Sequence, residues 1–134
     1  MLGVVAAALL VLLTRRYGRR HEMLVYGMVL VLTAFAYLLF GLRGSAPPEY
    51  FAVEAVGASL YTAAAAVGAR RWPFVLALGW TSHVAWDLLF HHAGGLAFAP
   101  PWYPLLCVGF DLFLGGYIAG AVAKAKEDRP VGAA

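Results

Sequence analysis

Residues Met23 to Leu42 read MLVYGMVLVLTAFAYLLFGL, twenty residues in a row without a charge. As a helix rising 1.5 Å per residue, that run is about 30 Å long, the thickness of the hydrocarbon core of a bilayer. The stretch therefore reads as a transmembrane helix, and the rest of the chain can be read outward from it.

Four further apolar segments flank it: Met1 to Thr14, about Tyr50 to Ala69, about Pro73 to His92, and about Pro104 to Ala123. The prolines divide the chain in the same places. Pro47, Pro48, Pro100, Pro101 and Pro130 lie between or beyond the segments, while Pro73 and Pro104 fall in a first helical turn, where a missing N–H costs nothing. The fold expected is all-α: a single polytopic transmembrane helix bundle over residues 1–134, with five spans. The first segment is too short to cross unaided, because its thirteen apolar residues reach only about 20 Å. Snorkelling by Arg15 and Arg16 and local thinning of the bilayer would complete it; otherwise the spans number four. A secretory signal peptide carries its basic residues before the apolar run, whereas here they follow it.

Composition agrees. Of 134 residues, 63% are hydrophobic and 13% charged, against about 25% charged in a soluble domain. Mean hydropathy is +0.76. The net charge of +3 and pI near 9.2 do not point to nucleic acid, because the basic residues sit in short loops between apolar runs. Membrane lipid is the expected partner. With five spans, one side receives Arg15, Arg16, Arg19, Arg20, Arg70, Arg71, Lys124, Lys126 and Arg129, and the other receives Arg43 alone. The positive-inside rule then puts the N-terminus outside and the C-terminus in the cytoplasm of a multi-pass cell-membrane protein, a bacterial inner membrane being the expected setting. Trp72 at the inner boundary, and Tyr50, Trp102 and Tyr103 at the outer one, fit aromatic belts. Gly116 and Gly120 form a GxxxG pair that suits close helix packing, within the chain or in a homo-oligomer. The lone cysteine, Cys107, excludes an internal disulfide and a four-cysteine metal site.

Ionisable residues inside spans carry the functional argument. They are Glu54, His83, Asp87 and Asp111, with His91 and His92 at an outer boundary. A charge at the bilayer centre costs about 2.5–3.5 kcal/mol on insertion scales, so such residues face a partner or a cavity. Counted inward from the outer helix ends, all four fall in the outer half of the bilayer, within about 8 Å of one depth. His83, Asp87 and His91 follow at i, i+4, i+8 on one stripe of the fourth helix, shared with Trp80; His92 points away. Tyr61 shares the face of Glu54, and Gly115 would leave room beside Asp111.

Imidazole with carboxylate suits zinc or a non-haem type of iron, and a metal would neutralise several buried carboxylates together. The metal ligands would be His83, Asp87 and His91, completed by Asp111 or by Glu54, with Asp111 preferred. The catalytic groups of an acid–base or hydrolytic centre would be Asp87, Asp111 and Glu54, the last as proton donor. A hydrogen-bonded network that only pins the helices together is the structural alternative. Ser82 and Thr81 precede His83 too closely to face it, so no Ser–His nucleophile pair is expected.

The stretch from Ala77-Leu78-Gly79-Trp80 through His83 and Trp86-Asp87-Leu88-Leu89, then Pro101-Trp102-Tyr103-Pro104 and Gly109-Phe110-Asp111, resembles a family of small bacterial integral membrane proteins of unassigned function. The resemblance implies that the His83/Asp87 helix pairs with the Asp111 helix; it implies no activity. A weaker likeness is to membrane metal hydrolases of the alkaline ceramidase type. Those have seven spans, and Asp87 stands where their H-x-x-x-H motif has histidine. Three functions stay open: a metal-dependent hydrolase or acid–base enzyme acting on a lipid or isoprenoid, a small proton-coupled transporter, and a non-catalytic membrane subunit.

Overall fold

Prolines open two of the helices. Pro48 and Pro73 occupy first-turn positions, where their fixed φ suits the helix and no N–H is needed. The computed structural model describes residues 1–92 and 98–128, apart from the side chain of His92. Arg129, Pro130 and the His92 side chain, for which the sequence predicts a direction away from His83, therefore lie outside what is described. The described residues form helices without strands: α1 (Leu2–Thr14), α2 (Arg19–Arg43), α3 (Pro48–Arg70), α4 (Pro73–Trp86) and α5 (Trp102–Glu127). A 3-10 turn at Arg15–Tyr17 and Gly18, with φ of +88°, joins α1 to α2.

Three of these helices, α2, α3 and α5, are long and apolar enough to cross a membrane. α4 has only fourteen α-helical residues, but the chain continues without a break as a π-helix over Asp87–His92. Together the two cover the predicted fourth segment. The π-helix, with i→i+5 hydrogen bonds, is a rare form that recurs at functional sites. α2 starts four residues before the predicted segment and so takes Glu22 into its first turn.

The helices pack in the order α2, α3, α4, α5, α1. Glycines set the closest crossings. Gly3 lies against the backbone of Leu106 and Phe110, Gly27 against Ala65, and Gly57 against the indole of Trp86. Gly3 meets the early part of α5, while Thr14 at the other end of α1 bonds Tyr26, whose ring meets Tyr117 of α5. α1 and α5 therefore run in the same direction. Gly115 does not make room beside Asp111: a Cβ there would lie 2.6 Å from the methyl of Thr81, so this glycine serves the α4–α5 crossing. Among the described residues no atom of another element lies within 4 Å of a would-be Cβ at Gly116 or Gly120, so the GxxxG pair makes no close helix crossing among them.

The core contains Leu30, Ala34, Tyr61, Leu76, Trp80, Leu114 and Ile118. Large apolar side chains such as Leu9, Leu32, Leu60, Phe74 and Leu112 cover the outside, where a soluble protein would be polar. Trp72 and Trp102 are exposed at helix ends, as aromatic belts require. Tyr50 is not in a belt: it is fully buried, because Gly41 admits its ring and its hydroxyl donates to the carbonyl of Tyr37 over 2.7 Å.

Candidate functional site

α4 delivers His83 and, one turn later, Asp87 at the first π-helical residue; α5 delivers Asp111. None of the three exposes any surface. His83 Nδ1 lies 2.9 Å from Asp111 Oδ2 and 3.6 Å from Asp87 Oδ1. One ligand atom from each residue falls within a 4.8 Å set. An oxygen of each carboxylate therefore lies within 4.8 Å of an oxygen of the other. Carboxylates this close, in surroundings this dry, need a cation or a shared proton between them. His83 Nε2, Asp87 Oδ2 and Asp111 Oδ1 accept no hydrogen bond from the described residues.

His91 stands apart from this group. Its Nε2 lies 3.1 Å from Glu54 Oε1 on α3, so the four expected metal ligands divide into a trio and the partner of a second pair. The reason is axial. Eight residues of helix separate His83 from His91, which is about 12 Å of rise, and a shared stripe does not bring side chains to a shared depth. Glu54, expected among the catalytic groups, is nearly fully buried and sits with His91 beside the trio rather than in it.

Tyr37 of α2 joins the two halves. Its hydroxyl donates to Asp87 Oδ1 over 2.6 Å, and its ring stacks on His91 at 3.6 Å between centroids and 7° between planes. The sequence reading missed it. Depth would have found it, since Tyr37 lies six residues from the Arg43 end of α2, as Glu54 does from the Pro48 end of α3. Tyr61 closes the side toward α3, with its ring edge-on to His83 at 4.7 Å. Beyond Tyr61, a 660 Å³ groove opens between α3 and α4, lined by Leu60, Ala64, Leu78 and Ser82. Ser82 donates to the carbonyl of Gly79 over 3.1 Å. Phe40 and Tyr103 close the α2–α5 side, with centroids 4.9 Å apart.

Another buried carboxylate, the fourth among the described residues, lies at the other end of the bundle. Glu22 Oε1 accepts hydrogen bonds from Tyr26 (2.9 Å) and Tyr117 (2.8 Å), and Thr14 Oγ1 is 3.1 Å from the Tyr26 hydroxyl. Leu30, Leu76, Trp80 and Leu114 fill the bundle between the two polar groups.

Residues 1–125 match a family of unknown function, DUF6010. The chain belongs to that family. Neither a curated protein nor a solved structure matches it. The DUF6010 match spans all five helices nearly to the end of α5, so the trio, the Glu54–His91 pair, Tyr37 and Glu22 all lie inside the family region.

Proposed function

We propose that this chain is a five-span membrane enzyme, with its N-terminus outside and its C-terminus in the cytoplasm, whose His83–Asp87–Asp111 centre holds a divalent metal of the zinc or non-haem iron type. The observation that carries this reading is the trio itself: one imidazole and two carboxylates within 4.8 Å, fully buried, each keeping a second polar atom that accepts no hydrogen bond from the described residues. A divalent cation there balances two carboxylates at once, and imidazole with carboxylate oxygen is a donor set such metals take. The parallel run of α1 and α5 supports five crossings, because the first and fifth spans of such a bundle must point the same way.

When bound, the metal supplies Lewis-acid chemistry to an ester or amide of a lipid. The chain's own residues hold and orient: Tyr37 fixes the Asp87 carboxylate, and Glu54, paired with His91, is placed to move a proton at the outer edge of the site. The groove behind Tyr61 and the large apolar side chains on the outer surface support a lipid-soluble substrate.

Metal analysis of the purified full chain tests the reading. About one zinc or iron per chain, lost in His83→Ala and in Asp111→Asn, is the expected result. Chain that folds, is purified without chelator and holds no metal overturns it.

One observation favours a second, metal-free reading. The Tyr37 hydroxyl and the His83 ring already satisfy one oxygen on each carboxylate, which makes a closed proton-sharing network. In that case Asp87 or Asp111 acts as an acid toward an isoprenoid-type substrate. A proton-coupled carrier gains Glu22 as a buried acid at the other end, but the apolar layer of Leu30, Leu76, Trp80 and Leu114 interrupts the path between the two ends.

A further inference from the structure

At the end of the bundle that carries Glu22, a 550 Å³ cavity lies where three helices meet. Arg19 opens α2, Arg71 closes the α3–α4 turn, and Lys126 ends α5; all three side chains line the cavity. Trp72, Phe74 and Val122 provide its apolar walls, and no carboxylate of the described residues lines it. Arg19 spends one Nη1 hydrogen on the carbonyl of Ala121 at 3.3 Å, and neither Arg71 nor Lys126 makes an ion pair among the described residues. α4 begins at the cavity wall with Pro73 and Phe74, so the positive end of its dipole adds to the field there. Three cations from three separate elements, held together against like-charge repulsion above an apolar wall, make a site for an anion that carries hydrocarbon.

We infer that this cavity binds the phosphodiester head group of an anionic phospholipid of the basic, inner leaflet. The phosphate sits among Arg19, Arg71 and Lys126, while the glycerol and upper acyl carbons lie along Phe74 and Val122. Exposed Trp72 stands at the depth where an indole meets the headgroup region. The site is separate from the His83 centre and does not depend on that centre's chemistry.

The test uses full chain in a neutral detergent at 0.15 M salt, with phosphatidylglycerol, phosphatidylcholine or inorganic phosphate as the probe. Phosphatidylglycerol is expected to stay bound in native mass spectra and to raise the unfolding temperature, while the other two do neither. Replacing two of the cations in Arg71→Gln/Lys126→Gln should weaken phosphatidylglycerol roughly thirtyfold, from about fivefold per basic side chain near an anionic surface. Arg16→Gln/Arg20→Gln removes the same charge from positions that do not line the cavity, and should change affinity no more than about twofold. Ala125→Trp keeps every charge and fills the cavity, and should expel the lipid. Equal loss in the two double variants, lipid retained in Ala125→Trp, or inorganic phosphate stabilising as well as the lipid would each overturn the assignment.

Discussion

The Tyr37 hydroxyl reaches Asp87 Oδ1 over 2.6 Å from a helix that contributes no other group to the trio. It fixes a carboxylate that would otherwise be free to turn, and the stacked ring of His91 holds Tyr37 itself in place. Tyr37→Phe keeps the stack and removes only the hydrogen bond. It should cost about 1.5–3 kcal/mol of unfolding free energy, the range for a hydrogen bond to a charged group. If Asp87 ligates a metal, the same change should weaken metal binding by about 10–100-fold, as loss of a partner that orients a ligand does. Thermal unfolding and a chelator competition measure the two effects, and an unchanged metal affinity would show that Asp87 is not a ligand.

The division between the trio and the Glu54–His91 pair gives a sharper contrast. Glu54→Gln and His91→Asn should leave metal content unchanged, while Asp111→Asn should abolish it. Elemental analysis of the three variants side by side decides this. Equal loss in all three would return His91 to the ligand set.

The lower cluster should act as a clasp between α1, α2 and α5. Glu22→Ala strands the hydroxyls of Tyr26 and Tyr117 without their acceptor, at about 1–3 kcal/mol for each buried polar group left unpaired. Glu22→Gln keeps an acceptor oxygen and should cost less than half as much. Proteolysis within Arg15–Gly18 should quicken in Glu22→Ala, because α1 is held by the same network through Thr14. A stable, protease-resistant Glu22→Ala chain would refute the clasp.

Two glycines should respond in opposite directions. At Gly57 a Cβ would lie 2.5 Å from the indole of Trp86, which is backed by Tyr61 and Phe90, so Gly57→Ala should destabilise by about 1–3 kcal/mol through overpacking. Gly116 meets nothing, and Gly116→Ala should raise monomer stability by up to about 1 kcal/mol on helix propensity alone. If Gly116 and Gly120 form a contact between copies of the chain, Gly116→Leu breaks the oligomer in cross-linking without unfolding the monomer.

Helix positions were legible in the sequence because uncharged runs and prolines speak directly to helix length and start. Depth brought Glu54, His83, Asp87 and Asp111 to one level, and the family resemblance implied that the His83/Asp87 helix pairs with the Asp111 helix. Depth was also the rule that should have separated His91 from the trio and added Tyr37 to it. A stripe argument considers one helix, and Tyr37 comes from another; tyrosine also reads as an interfacial anchor until its hydroxyl is seen to have a buried acceptor. The same assumption misplaced Tyr50. The π-helical turn at Asp87 left no sequence signal, because nothing in Asp87–His92 distinguishes i→i+5 from i→i+4 bonding. Glu22 escaped notice because the apolar run begins one residue after it.

The groove behind Tyr61 opens through the apolar flank of the bundle, between α3 and α4, rather than at an end that faces water. A molecule that reaches His83 by that route is already dissolved in the leaflet. If the His83 centre is that of an enzyme, the relevant substrate concentration is a mole fraction in two dimensions, and turnover should slow when the same total substrate is diluted with inert lipid or detergent, even though its amount per volume of buffer is unchanged.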